Sequence, residues 1–317
     1  MSNLTETPEV VASSVLYAIS VIYIVEILLG VFGNVMTISI VFYEEKFRTQ
    51  FAYILIANQA IADLGLVSMM VPIKVFILLT SSSPGDAACT FEFYGKQWFL
   101  ISATECILFV ALTRYMKVVH PTKGLWMHSK PLHTGMLIFA WTLPILCLLP
   151  SFLDPRFHYD ATFYSCSMVN ERNDSLIDMI LIALGAPVIP VAIYCYIHIL
   201  VKVRKSQSKV TVMKKSSKDT KQAKTDNILT RTTAAICGLF FICYILPLVL
   251  RVLADDGSKA TIQIISGALF RLPPALNPII YVTLNTQMRT AYKKMLRCGR
   301  EDTNDEQSST SETGTGK

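Results

Sequence analysis

Seven long apolar runs constrain this chain more than any other feature of its sequence. A helix that crosses the hydrocarbon core of a bilayer needs about 20 mostly apolar residues. Runs of that kind lie at about 15–43, 51–79, 88–119, 132–152, 176–203, 228–253 and 262–282. Only 16% of the residues are charged, against about 25% in a soluble domain. The chain is therefore predicted to be an all-α membrane protein of seven helices, and not a soluble enzyme, a disordered protein or a nucleic-acid-binding module.

Basic residues in the loops predict which ends of the spans face the cytoplasm, because lysine and arginine in short loops stay on that side. The segment before the first span carries Glu6 and Glu9 and no basic residue. Ten basic residues lie at 202–231, and five more lie at 289–300. The N-terminus is therefore predicted outside and the C-terminus inside, in a multi-pass protein of the plasma membrane.

Cysteines and glycosylation sequons agree with this orientation. Of the eight cysteines, Cys89 and Cys166 alone fall at the predicted extracellular face, where an oxidising environment favours a disulfide. Such a bond joins the outer end of the third span to the loop between the fourth and fifth spans. Two sequons on the same side predict glycosylation of Asn3 and Asn173.

The segments around the spans divide the chain into four parts. Residues 1–14 are predicted to be an extracellular N-terminus and residues 15–283 the seven-helix domain. In residues 285–297, apolar residues recur at helical spacing opposite basic ones, which predicts a short amphipathic helix on the membrane surface. Cys298 follows it directly and is a candidate for palmitoylation. Residues 298–317 are acidic and rich in serine and threonine, and they are predicted to be a disordered cytoplasmic tail.

Short motifs in the spans resemble those of one receptor family. In chain order they are Gly33-Asn34-Val35, Ile61-Ala62-Asp63-Leu64, Thr113-Arg114-Tyr115, Trp141, Pro247 and Asn277-Pro278-Ile279-Ile280-Tyr281. Each motif is common by itself, but this order across seven spans is specific. Over about residues 30–298 the chain resembles a rhodopsin-like (class A) G-protein-coupled receptor.

The resemblance implies signalling and not enzymatic activity. A small extracellular or membrane-borne molecule binds such receptors between the outer ends of the helices, and a heterotrimeric G protein binds at the cytoplasmic ends. Receptor kinases and arrestin are further expected partners at the tail, and membrane lipid surrounds the bundle. The sequence indicates no cofactor and no nucleic-acid partner.

The resemblance also assigns an activation role to residues at the cytoplasmic side. The sixth span is expected to swing outward about a hinge at Pro247, with Phe241 and Tyr244 in place of the usual switch tryptophan. G-protein coupling and the activation switch are expected to involve Thr113, Arg114, Tyr115, Tyr196, Asp226, Asn277, Pro278 and Tyr281. Thr113 stands where the family usually has an acid. Either Asp226 replaces that acid as the partner of Arg114, or the receptor is partly active without ligand.

A polar core is expected where Asn34, Asp63 and Asn277 meet inside the bundle. A carboxylate at mid-bilayer is costly, so Asp63 is a candidate functional residue. In the family this acid binds sodium with help from hydroxyl groups. The matching positions here read Ala103 and two prolines, so the sequence favours a contact between Asp63 and Asn277 over a sodium site.

Charged residues in the outer half of the bundle indicate the ligand pocket, which is predicted to contain Lys74, Glu92, Lys96, Gln97 and Arg271. Lys96 stands where receptors for biogenic amines have an aspartate, which argues against a cationic amine at that position. Glu92 and Lys96 are four residues apart and can pair. Lys74 and Arg271 then remain as surplus positive charge for an anionic ligand. The alternative is an internal salt-bridge network with Glu92, Glu26, Asp160 or Asp178.

Two branches of the family look most similar to this chain. Segments 159–160 and 164–166 are similar to melatonin receptors, and segments 156–167 and 285–289 are similar to opsins. Opsins attach retinal to a lysine on the seventh span, where this chain has Arg271, and arginine is too basic for that chemistry. A retinal linkage moved to Lys74 or Lys96, and a transporter that does not signal, remain as alternatives.

Overall fold

The computed structural model describes residues 11–122, 129–153, 156–168, 188, 190–202, 217–255 and 258–297. Eleven α-helices occur in these residues: α1 Ser13–Tyr43, α2 Glu45–Arg48, α3 Phe51–Gly65, α4 Val71–Thr80, α5 Asp86–Val119, α6 Lys130–Leu148, α7 Pro190–Lys202, α8 Ser217–Leu253, α9 Lys259–Arg271, α10 Pro273–Leu284 and α11 Thr286–Arg297. A π-helical segment, Leu66–Met70, joins α3 to α4, and a 3₁₀ segment, Leu149–Leu153, follows α6.

These helices form the spans in chain order. The first span is α1, the second is α3 with α4, the third is α5, the fourth is α6, the sixth is α8 and the seventh is α9 with α10. Only α7 is described from the fifth span. The third span lies at the centre, where it contacts helices of the second, fourth and sixth spans.

Five of the described helical segments are long enough and apolar enough to cross a membrane. They are Ser13–Tyr43, Phe51–Thr80, Asp86–Val119, Lys130–Leu148 and Asn227–Leu253. The seventh span is shorter in each half, because it breaks at Leu272 into helices of 13 and 12 residues. Pro273 and Pro274 cause this break, since neither has a backbone N–H to continue the helix.

Burial in the bundle is the reverse of burial in a soluble protein. Asn34, Asp63 and Asn277 are almost completely buried, while Leu28 and Phe32 on the outer surface of α1 are 65% and 55% exposed. Lipid tails accept apolar side chains as readily as a protein core does, whereas polar groups have no water to bind. The outward face of α1 is therefore a lipid-facing surface.

A β-hairpin covers the outer end of the bundle, an element that the expectation of an all-α protein did not include. Strand β1 (Phe157–Asp160) pairs antiparallel with β2 (Ser165–Met168), and Tyr159 lies opposite Cys166. Asp160 Oδ1 accepts hydrogen bonds from the backbone N–H groups of Thr162, at 2.8 Å, and Phe163. These bonds shape the turn, and the Cys89–Cys166 disulfide fixes the hairpin to the outer end of α5.

The sixth helix extends well beyond its apolar run. The apolar pattern begins at about residue 228, whereas α8 begins at Ser217. The length of an apolar run predicts only the part of a helix that lies in lipid. The helix can be longer than this run, because neighbouring residues of good helix propensity continue its hydrogen bonding.

Gly33 is a position where α1 and α10 approach closely, since a methyl group built on Gly33 would overlap the ring of Pro278. We expect Gly33→Ala to lower the thermal unfolding midpoint of the purified protein, because one helix must move away from the other. Gly135→Ala is the matched control, since no atom lies within 4 Å of a methyl group there. Alanine favours a helix over glycine by about 1 kcal/mol, so the control is expected to be neutral or stabilising. Equal behaviour of the two variants would contradict this close approach.

Candidate functional site

Pro278 creates the central polar contact between the first and seventh spans. A proline has no N–H, so the carbonyl of Pro274, four residues earlier, receives no helical hydrogen bond from it. Asn34 supplies the missing donor: its Nδ2 lies 2.9 Å from the carbonyl oxygen of Pro274 and 2.9 Å from that of Gly30. The asparagine on α1 therefore satisfies a carbonyl that the proline on α10 leaves free.

Asp63 and Asn277 meet one layer further into the bundle. Asn277 Nδ2 donates to Asp63 Oδ2 at 2.8 Å, and both residues are buried. A cavity of about 10 Å³ beside Asp63 is lined by Ala103 and Pro273, and Tyr244 is the other lining residue with a polar side chain. Hard cations in proteins take several oxygen ligands. The described surroundings of Asp63 therefore fit a side-chain contact better than a sodium ion.

Near the C-terminal end of α5, Thr113 turns toward its own helix. Its hydroxyl donates to the carbonyl oxygens of Phe109, at 2.8 Å, and Val110, at 3.0 Å. Thr113 therefore supplies no negative charge to Arg114, which is 97% buried. Asp226 belongs to α8, but its side chain lies outside the described part of the structure, so its pairing with Arg114 stays a prediction.

The other predicted switch residues lie around this region. Tyr115 contacts His120, with 3.1 Å between the hydroxyl oxygen and Nε2. Tyr196 on α7 is buried and lies within electrostatic range of Arg114. Tyr281 on α10 donates to Gln59 Oε1 on α3 at 3.4 Å. These residues thus lie toward the C-terminal end of α5, on the third, fifth and seventh spans.

Tyr244 and Phe241 differ in their surroundings, although both were predicted to act beside the Pro247 hinge. The ring of Tyr244 stacks on Phe240 and meets Phe270 of the seventh span edge to face, with centroids 5.2 Å apart. Phe241 is 39% exposed. Tyr244 is therefore the residue of the two that couples the sixth helix to the seventh.

Helix α11 is tied to the inner end of α1. The hydroxyl of Tyr292 donates to the Gly33 carbonyl at 2.8 Å and lies 2.5 Å from the Thr37 hydroxyl oxygen, and burial raises the pKa of Tyr292 to about 12. On the exposed side, Lys294 Nζ lies 2.9 Å from Glu44 Oε1, and this hydrogen bond lowers the pKa of the Glu44 carboxyl. The buried bond links α11 to the glycine against which Pro278 packs.

A cavity of about 970 Å³ runs between the third, fifth, sixth and seventh spans, from Lys74 and Glu92 near its outer end to Tyr196 near its other end. All five residues of the predicted pocket line it: Lys74, Glu92, Lys96, Gln97 and Arg271. Its walls are mostly apolar and aromatic, with residues such as Phe93, Phe163, Tyr244, Phe270 and Ile101. The cavity therefore combines a large apolar volume with charges concentrated near its outer end, as in small-molecule sites generally.

Glu92 is the centre of the outer charge network. Arg271 Nη2 lies 2.9 Å from Glu92 Oε1, and Lys96 Nζ lies 3.6 Å from Glu92 Oε2. Arg271 also donates to the Gly267 carbonyl at 3.2 Å and to the Tyr23 hydroxyl at 3.5 Å. Of the two alternatives for Arg271, surplus charge or an internal salt-bridge network, these distances favour the network, with Arg271 as the nearer partner of Glu92. Helical spacing showed only the neighbour on the same helix, whereas the partner 179 residues away comes from tertiary packing.

The remaining cation and the remaining acids have different partners. Lys74 is 94% buried, and its ammonium donates to the backbone carbonyl of Tyr164 in the hairpin turn. Glu26, which was named as an alternative partner for the cations, is buried within electrostatic range of Arg271. Neither of its oxygens has a hydrogen bond within the described residues. The internal network thus accounts for Arg271, but among the described residues around Glu92 the cations Lys74, Lys96 and Arg271 outnumber the acids Glu92 and Glu26.

A family model described as "7 transmembrane receptor (rhodopsin family)" matches residues 33–281. The chain belongs to this family. The predicted membership and the seven-helix fold are thereby confirmed, and the protein is a multi-pass membrane receptor and not an enzyme.

Relatives of the receptor come from both branches that its sequence resembles. Melatonin receptor type 1A of Mus musculus is 25% identical over 284 residues, which cover 87% of this chain and 79% of the relative. Rhodopsin of Petromyzon marinus is 25% identical over 303 residues, covering 91% and 83%. The crystal structure of squid rhodopsin matches with a TM-score of 0.78 and 16% identity, covering 100% of this chain and 94% of that one, which supports the fold.

Several predicted sites of the receptor lie outside the described residues. They are the glycosylation sites Asn3 and Asn173, the palmitoylation candidate Cys298 and the alternative partner Asp178. Sequence reasoning also missed functional candidates that the structure brings out, namely Gln59, Glu105, Asn285 and Tyr23. The available signal was a polar residue inside an apolar run, and Glu105 was the plainest case, since it lies in the middle of the third span.

The two interactions that hold α11 against α1 and its C-terminal cap, Tyr292 with Gly33 and Lys294 with Glu44, are expected to contribute unequally to the stability of the receptor. Tyr292→Phe removes the buried bond to the Gly33 carbonyl, and we expect a loss of about 1 kcal/mol in the free energy of unfolding. Lys294→Ala breaks an exposed ion pair, which contributes little because water and salt screen it. Thermal unfolding of both variants in the same lipid environment measures the difference. A larger effect from Lys294→Ala would contradict this assignment.

Proposed function

We propose that this receptor binds a small anionic ligand in the outer cavity and in response activates heterotrimeric G proteins. The observation that supports this proposal is the charge of the outer end of the cavity. Four cations, Lys74, Lys96, Arg251 and Arg271, line the cavity at this end, and the acid among them is Glu92. A buried positive charge without a counterion is costly, and an anion from solution or from the membrane compensates it.

Lys74 and Lys96 are the better candidates for direct ligand contact. The acceptor of Lys74 is a neutral carbonyl, so its charge stays without a bonded anion. Lys96 lies farther from Glu92 than Arg271 does, and its side chain is 27% exposed. Arg271 holds Glu92 in place, and the apolar walls provide contact area for the body of the ligand. A carboxylate or phosphate on an apolar or aromatic scaffold suits this arrangement.

Activation is proposed to be a two-state equilibrium that the ligand shifts by binding one state more tightly. Tyr244 lies on α8, about one turn before Pro247. It lines the cavity and also packs on Phe270 of the seventh span. A ligand that moves Tyr244 can therefore bend α8 at the proline and open the region around Arg114 to the G protein. In this proposal the N-terminus is extracellular, and the cytoplasmic tail is the substrate of receptor kinases and a site for arrestin.

A melatonin-like ligand is the second candidate, because melatonin receptors are among the relatives and the walls are rich in aromatic rings. The retinal and transporter alternatives have less support. Lys74 and Lys96 are engaged with Tyr164 and Glu92, whereas a Schiff base needs a free amine, and the family consists of receptors.

A G-protein activation assay in cells tests coupling. Arg114→Ala is expected to abolish basal and ligand-stimulated signalling without changing surface expression, because Arg114 is proposed to contact the G protein. Lys46→Gln, an exposed change at the same side of the bundle, is the control and is expected to signal normally. Full signalling by Arg114→Ala would refute the proposed mechanism.

A ligand panel tests the pocket. Carboxylates, phosphates, amines and melatonin are compared on the unmodified receptor and on Lys74→Gln. If the ligand is anionic, Lys74→Gln is expected to reduce its potency about ten- to hundredfold, since a charge-assisted hydrogen bond contributes about 1.5–3 kcal/mol. A response to melatonin that is unchanged by Lys74→Gln would instead favour the second candidate.

A further inference from the structure

Glu105 is a charged residue of the cavity that the proposed function does not use. It lies on α5, 16 residues after Cys89, and is therefore about 24 Å deeper along the helix axis. Its residue exposure is only 6%, and it lines the same cavity as the outer cations. An ionisable side chain at this depth in a membrane protein is a candidate functional residue by default.

The described residues near Glu105 supply no positive charge to it. Cys147 of α6 lies close to Glu105 and lines the same cavity, and its side chain is not cationic. Thr104, its neighbour on α5, uses its hydroxyl to donate to the Leu100 carbonyl at 2.8 Å. Within the described residues, Glu105 forms no hydrogen bond and no ion pair. The residue is thus largely buried, and no bond to another described residue compensates for the water that its carboxyl group loses.

A continuous path connects Glu105 with the outer cations. Gln97, Ile101 and Glu105 are spaced by four residues, so they lie along one face of α5, and all three line the cavity. Gln97 is adjacent to Lys96. The distance from Gln97 to Glu105 along the helix is eight residues, or about 12 Å. A ligand of that length can reach the cations with one end and the carboxyl group with the other.

We infer that the ligand is an elongated amphiphile with an anionic group at its outer end and a protonated amine at its inner end, where Glu105 binds it. This inference rests on the proposed function and specifies the class of ligand. The apolar wall between Gln97 and Glu105 requires an apolar linker. An amine at the inner end does not conflict with the argument that Lys96 disfavours a cationic ligand group. The ammonium binds at Glu105, and the anionic group binds near Lys96.

Four matched probes test the inference: 11-aminoundecanoic acid, 11-hydroxyundecanoic acid, undecanoic acid and undecylamine. Their binding to the full-length receptor in lipid nanodiscs is measured by calorimetric titration, with empty nanodiscs as the control for partition into lipid. The amino acid is expected to bind at least tenfold more tightly than undecanoic acid or the hydroxy acid, because only the ammonium offsets the charge of Glu105.

Two isosteric variants separate the two ends of the cavity. Glu105→Gln is expected to remove the advantage of the amino acid over undecanoic acid, because the glutamine has no charge for the ammonium to offset. Lys74→Gln is expected to weaken both acids equally. The comparison of probes on the unmodified receptor does not depend on how well either variant folds.

The outcomes distinguish this inference from the proposed function. If undecanoic acid binds in a Lys74-dependent manner but the amino group adds nothing, the inference is overturned and the anionic-ligand proposal stands. The inference is also overturned if the advantage of the amino acid persists in Glu105→Gln. If neither acid binds, the inference and the anionic-ligand proposal both fail.

Discussion

Pro278 lacks a backbone N–H, so the seventh span has one hydrogen-bond donor too few. The packing of α1, α10 and α11 depends on how other groups replace that donor. The Pro274 carbonyl that it leaves free accepts a hydrogen bond from Asn34, and this bond holds the first span against the seventh. The ring of Pro278 packs on Gly33, whose own carbonyl accepts a bond from Tyr292 of the surface helix. In lipid no water can satisfy such groups, so each missing donor determines a specific contact between helices.

The same requirement for partners organises the ligand cavity. Glu92, which lies between Lys96 and Arg271, ties the third span to the seventh near the outer end, and Lys74 ties the second span to the hairpin turn. These contacts leave an excess of positive charge at one end of the cavity and an acid without a partner at the other. A membrane protein retains such groups at a cost in stability, which makes them useful for recognising a ligand.

Tyr244 and Arg114 lie at opposite ends of the proposed signalling path. Tyr244 contacts both the cavity and the seventh span, close to the proline that interrupts the sixth helix. Arg114 is buried beside a threonine that uses its hydroxyl within its own helix.

The sequence by itself determined the class of fold, most of the span positions, the Cys89–Cys166 pair and five charged or polar residues that line the cavity. Local patterns carry that information, because hydrophobic length, loop charge and short motifs are properties of neighbouring residues. Tertiary structure alone decided that Arg271 pairs with Glu92, that a hairpin covers the outer end and that Glu105 faces the cavity without a partner. These features depend on residues far apart in the chain that meet only when the helices pack, and no periodicity along a single helix records such a meeting.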